Sequence, residues 1–199
     1  MSSGQNAGRR AILRAWLAAG MAGGARGVLA RERPEGRLPA PPSCGEADAP
    51  TPRQTEGPYY SPDPPGKSDF RPDAPGEPMM LLGFVLDPDC RPLAGARVDL
   101  WHADADGRYD NRGFRLRGYQ LTDEAGRFGF GTIVPGLYPG RTRHFHVKVR
   151  RPGGRVLTTQ LYFPGEPGNA RDFIFDERLL MDVREQPDMR VGRFDFVVG

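Results

Sequence analysis

The sequence predicts a mainly β fold, a β-sandwich of short antiparallel strands with long connecting loops, and three observations carry that prediction. Glycine (27) and proline (21) make up nearly a quarter of the 199 residues, which argues against a helical bundle and for strands joined by turns. Short apolar or alternating runs recur after Met79, each bounded by Gly, Pro, Asp or Asn. With 38% hydrophobic and 27% charged residues, the chain can build one compact core with appended segments.

Taken in order, the first strand is "MMLLGFVLD", followed by the turn "PDCRPLAGA" and the strand "ARVDLWHAD". In the latter, Val98, Leu100 and His102 alternate with Arg97, Asp99 and Trp101, the two-residue period of a half-buried strand. "YQLTD", "GRFGFGTIV", "HFHVKVR", "VLTTQLYF" and "GRFDFVV" supply further strands, a spacing that favours a sandwich or barrel. "RDFIFDERLLMDV" has mixed character and reads as a short helical turn before the last strand.

Residues 53–199 are the expected folded domain, opening at "TPRQTEGPYYSPD". Residues 31–52 are polar and proline-rich and read as a linker or arm. Residues 1–30 place Arg9 and Arg10 before Ile12, Leu13 and an alanine- and glycine-rich run, the layout of a twin-arginine export signal. That reading predicts a periplasmic or extracellular protein. An amphipathic helix on a cytoplasmic protein is the alternative, because Arg14 and Arg26 interrupt the run. The run is too short and broken for a stable membrane span. Cys44 and Cys90 either pair in an oxidising compartment or are two unrelated thiols, and spacing does not decide between them.

A net charge of +3 and a pI near 9.1 raise the question of nucleic acid. The arginines are scattered among acidic residues, as in "DFRPDAPGEP", and form no basic stripe, so no nucleic-acid partner is expected.

The stretch "GLYPGRTRHFHVKV" holds two of the chain's three histidines. On a strand His144 and His146 project to one face, and neutral imidazole suits Zn, Cu, Fe and Ni. A His-x-His pair alone also occurs as surface or core histidines. No thiolate or carboxylate lies beside this one, and the oxygen donor nearest in sequence is the phenol of Tyr138. A phenolate is a hard anionic ligand, which points toward iron(III). Tyr109, in "DLWHADADGRYDN", sits in a comparable glycine-containing loop after a strand. By itself it reads as a half-buried aromatic.

Together, "DLWHADADGRYDN", "RGYQLTDEAGRFGFGTIVPGLYPGRTRHFHVKV", "LTTQLYFPGEP" and the upstream "QTEGPYYSPD" resemble the intradiol ring-cleavage dioxygenases. These are non-haem iron(III) enzymes that split catechols between the two hydroxylated carbons. The resemblance is to protocatechuate dioxygenase subunits and to small exported single-domain members. The helical N-terminal dimerisation segment of the catechol 1,2-dioxygenase branch has no counterpart in it. It implies one Fe(III) per chain, held by Tyr109, Tyr138, His144 and His146. It also implies catalytic roles for Arg141 beside the substrate, for Gln160 behind it, and for Tyr138 as ligand and base in turn. His102 is not among the implied ligands. The implied reactants are a catecholic substrate and O2, and the product is a muconate-type diacid.

Protocatechuate, catechol, hydroxyquinol and lignin-like aryl catechols all remain candidates, as does any oligomeric state. Tyr59, Tyr60, Arg112 and Arg143 are pocket candidates by loop position, with turn packing and solvated charge as the plainer alternatives. Two rival functions remain. A prealbumin-like or adhesin-type binding or stalk module would explain the strands, turns and glycines without chemistry, and a copper or zinc protein would use the histidine pair alone.

Overall fold

The computed structural model describes residues 50–199. The residues read as an export signal, nearly all of the expected arm and Cys44, hence the Cys44–Cys90 question, lie outside the described residues. Within them are nine strands in two sheets.

Strand β1 (Pro78–Leu86) lies at the centre of one sheet, flanked by β4 (Arg127–Ile133) and β8 (Met189–Arg193), with β7 (Asp182–Gln186) outside β8. The second sheet has the order β3-β2-β5-β6, formed by Arg117–Leu121, Arg97–Trp101, His144–Arg150 and Val156–Tyr162. Every pair in this second sheet is antiparallel. In the first, β1 runs parallel to β8 and to the short β9 (Phe196–Val197), a departure from the wholly antiparallel expectation.

The core fills the space between the sheets with Leu81, Val98, Leu100, Phe128, Phe130, Phe145, Val147, Val149, Leu161 and Phe196. A fully buried phenylalanine of this kind contributes about 2–3 kcal/mol.

Two elements differ from the sequence reading. "GRFDFVV" was expected as one strand, but the chain breaks between β8 and β9 at Phe194 and Asp195. There the Phe194 carbonyl presses on Gly83, where a Cβ would stand 1.8 Å away, and Asp195 accepts the Phe84 N–H at 3.1 Å. The strand β7 was not foreseen, because Asp182–Gln186 is an exposed, charged edge with no apolar alternation. The mixed segment before it and the residues just upstream form single 3-10 turns at Asn169–Arg171 and Glu177–Leu179, the second capped by Asp176. Among the described residues no helix is long and apolar enough to cross a membrane.

His102, which the resemblance leaves out of the ligand set, is tied into the fold by both ring nitrogens. Its Nδ1 donates to the Ala103 carbonyl at 2.7 Å, which leaves Nε2 to accept from Thr132 Oγ1 at 2.6 Å. Burial lowers its pKa from 6.5 to about 4. Between those values the unfolded chain binds the proton and the folded one does not, so stability rises with pH across that window. Acidification from pH 6.5 toward 4 is expected to remove up to about 3 kcal/mol through this residue. Denaturant titrations of wild type and His102→Gln at both pH values measure the difference, and equal pH slopes would contradict it.

Candidate active site

On β5 the side chains of Phe145, Val147 and Val149 enter the core, so His144 and His146 project from the opposite face of the four-stranded sheet. Both are nevertheless buried, at 3% and 1% exposure. Three segments cover this face: a strap over residues 51–61, the β2–β3 loop of residues 102–116, and the β4–β5 loop of residues 134–143.

The strap passes close over the site. Gly57 has φ 71°, and a Cβ there would lie 3.1 Å from Cε1 of His146. Beyond it Tyr59 stacks on Tyr109 at 4.3 Å and meets Tyr138 edge-on at 6.1 Å. The two loops carrying those tyrosines are tied by a bond from Gly136 N–H to the Asp104 carbonyl, 2.8 Å. The side-chain-free Gly107 lets the Leu137 carbonyl approach to within 2.1 Å of where a Cβ would sit.

The four candidate donors converge under this cover. His144 Nδ1 donates to the Thr142 carbonyl at 2.6 Å, so its Nε2 carries a free lone pair. That Nε2 lies 3.2 Å from Nε2 of His146 and 3.3 Å from the Tyr138 hydroxyl. The Tyr109 ring stands 5.7 Å from that of Tyr138 and 6.1 Å from that of His146. Trp101 stacks on the His146 ring at 5.0 Å and 7°, fixing its plane.

Burial, aided by the Arg141 charge, lowers the His144 pKa to about 4, and burial with the neighbouring His144 pushes that of His146 well below its usual value. Both imidazoles are therefore neutral at physiological pH. Burial and the nearby Tyr138 push the Tyr109 phenol far above its ordinary range. Tyr138 is raised by burial too, but the Arg141 guanidinium pulls the other way.

Buried and facing this cluster, the Tyr109 hydroxyl has no hydrogen-bond partner among the described residues, and neither has His146 Nδ1. Two neutral imidazoles and two phenols, one of them orphaned, fit a hard trivalent cation that would convert the phenols to phenolates. Among the described residues no group of three His, Cys, Asp or Glu could hold a metal instead.

Arg141 reaches the same spot through a dense network. Its Nη1 lies 3.4 Å from the Tyr138 hydroxyl, its Nη2 donates to Gln160 Oε1 at 2.5 Å, and its Nε donates to Asp172 Oδ2 at 2.8 Å. Gln160, fully buried, donates in turn to the Thr55 carbonyl of the strap at 3.1 Å. Asp172 also accepts the backbone N–H groups of Thr142 and Ile174.

Every predicted site residue is thus brought together. Asp172 and Trp101 escaped sequence reasoning: Asp172 lies in an irregular loop without periodicity, and Trp101 read only as one position in an alternating strand. Of the pocket candidates, Tyr59 joins the cluster. Tyr60 instead packs on Trp101 and under Lys148, Arg143 pairs with Glu166 at 2.7 Å, and Arg112 is exposed.

Residues 55–198 match a family model described as dioxygenase. The chain is 34% identical to 6-chlorohydroxyquinol 1,2-dioxygenase of Cupriavidus pinatubonensis, across 86% of this chain and 68% of that one. It shares its fold with an intradiol ring-cleavage dioxygenase from Tetranychus urticae, with a TM-score of 0.71 and 25% identity over 76% of this chain and 95% of that one.

The chain belongs to the intradiol ring-cleavage dioxygenase family.

Another relative of this family member is catechol 1,2-dioxygenase of Acinetobacter baylyi, 31% identical over 75% of this chain and 58% of that entire protein. This chain therefore spans little more than half the length of that enzyme. The dioxygenase domain of a carbohydrate-binding fusion protein from Streptomyces sp. SirexAA-E is 53% identical, with a TM-score of 0.74 over 75% of this chain and 98% of that domain. Family membership weighs against a stalk or binding module, which would share the strands without the ordered donor set.

Proposed function

We propose that this family member is a ferric dioxygenase that opens a catecholic ring between its two hydroxylated carbons. The observation that carries the proposal is the convergence of His144 Nε2, His146 Nε2 and the Tyr138 hydroxyl within 3.3 Å steps beside the unpartnered Tyr109 hydroxyl. Tyr109, Tyr138, His144 and His146 would hold one iron(III). When bound, the ferric ion supplies Lewis acidity and an electron-accepting centre that makes a chelated catecholate reactive toward O2.

The protein's own groups would do the rest. Tyr138 lies beside the Arg141 guanidinium, which favours its phenolate form, and that phenolate oxygen would accept a proton from an incoming catechol hydroxyl. Arg141, fixed by Asp172 and Gln160, holds positive charge where negative charge develops on the ring. Tyr109, half-buried and stacked against Tyr59, would stay in place as an inner wall. The strap and its tyrosine exclude water from the reacting face. The overall change balances without a reductant: one carbon–carbon bond of the catechol breaks, and both atoms of one O2 enter the diacid product.

The paired arginines Arg9 and Arg10 support export by a folded-protein route, which would deliver the enzyme already loaded with iron. For the reaction itself, the iron-loaded protein is incubated with catechol, protocatechuate and hydroxyquinol under isotopically heavy O2. A muconate-type diacid carrying two heavy oxygen atoms is the expected product from at least one of them. Cleavage outside the diol, or no O2 uptake with any of them, would overturn the proposal.

A further inference from the structure

The candidate site sits on one continuous row of the sheet. In register, Arg117 pairs with Trp101, Trp101 with His146, and His146 with Gln160, one residue from each of β3, β2, β5 and β6. Residues directly opposite one another in antiparallel strands share a face, so all four side chains rise on the side of the donors. Gln160, at one end of the row, steadies Arg141. Nothing so far accounts for Arg117 at the other.

Arg117 is the one buried arginine among the described residues, at 1% exposure. No ion pair among them includes it. Asp110, on the β2–β3 loop, forms no ion pair with it: that carboxylate lies 3.6 Å from Arg115 and accepts the N–H groups of Arg112, Gly113 and Arg115. A guanidinium taken out of water without a carboxylate is costly, so its retention calls for a task.

Its hydrogen bonds show the task. Nη1 donates to the Tyr59 carbonyl at 3.0 Å and to Ser61 Oγ at 2.6 Å, both on the strap. Nη2 donates to the carbonyl of Asp110, the residue that follows Tyr109. One rigid fork therefore joins the two backbones whose tyrosines stack face to face at 4.3 Å.

We infer that Arg117 is the positioning residue for Tyr109, a buried brace that sets the strap and the Tyr109 loop in register against the sheet. It mirrors the Gln160–Arg141 arrangement at the row's other end. The inference rests on the ferric-site reading for its consequence and on the hydrogen bonds for its geometry.

Lysine at this position keeps the charge but cannot reach three acceptors on two segments. In Arg117→Lys we expect ferric affinity to fall about 10- to 100-fold, as when outer partners of metal ligands are removed. The visible tyrosinate-to-iron band of the remaining loaded protein is expected to shift. In the iron-free variant, backbone amides of residues 57–61 and 108–113 should exchange faster while those of β2 and β5 stay unchanged.

Ser61→Ala, which removes a single acceptor at a half-buried position, is a milder second variant. It should show the same change confined to the strap. Wild-type affinity, band position and exchange in Arg117→Lys would overturn the inference. Should wild-type protein itself lack the band, the ferric reading fails alone, and exchange in the iron-free variants still decides the brace.

Discussion

His144→Ala is expected to leave the β-sandwich folded and the protein without iron or turnover. The imidazole is oriented by its bond to the Thr142 carbonyl, and its only free nitrogen is the one that faces His146 and Tyr138. Water or buffer cannot restore a ligand held this way, because the position is 97% shielded from solvent by its surroundings, with only 3% of the residue exposed. The fold should tolerate the change, since the side chain lies outside the inter-sheet core, among Tyr138, His146 and Tyr162. An iron assay and a thermal melt on the same sample check it. A folded variant with full iron content would refute the role assigned to this histidine.

Arg141→Met is expected to cost both activity and stability. Removing a preorganised positive group of this kind lowers kcat by about 10²–10³. The stability cost comes from Asp172, whose carboxylate is fully buried and would lose its charged partner at 2.8 Å. Breaking one side of a buried pair costs about 3–5 kcal/mol. The bond network separates the two effects. Arg141→Met combined with Asp172→Asn should recover most of the stability, because no uncompensated charge remains, and none of the activity. Denaturant melts and steady-state kinetics on the three variants provide the comparison; recovery of activity in the double variant would show that Arg141 acts only through folding.

How legible this was depended on the kind of signal. "HFHVKVR" corresponds to β5 residue for residue, because its alternation states both the core face and the ligand face at once. The β7 edge was hidden, since a solvent-exposed strand has no apolar period to display. Parallel pairing of β1 with β8 was likewise invisible: it joins segments over a hundred residues apart, and nothing local encodes it. The donor set was readable because Tyr138, Arg141, His144 and His146 lie within nine residues of one another. Asp172 and Arg117 were not, because a buried arginine or aspartate is defined by partners that only the fold supplies. In the sequence, both look like surface charges.

The most direct test of the account is a visible absorption spectrum of ferric-loaded protein, with iron quantified, before and after anaerobic addition of a catechol. The account predicts a red-brown tyrosinate-to-iron band at one iron per chain, moved by the catechol and weakened in Tyr138→Phe. A protein that takes up no ferric ion, or takes it up without colour, would contradict the two-tyrosine, two-histidine centre on which the proposed reaction depends.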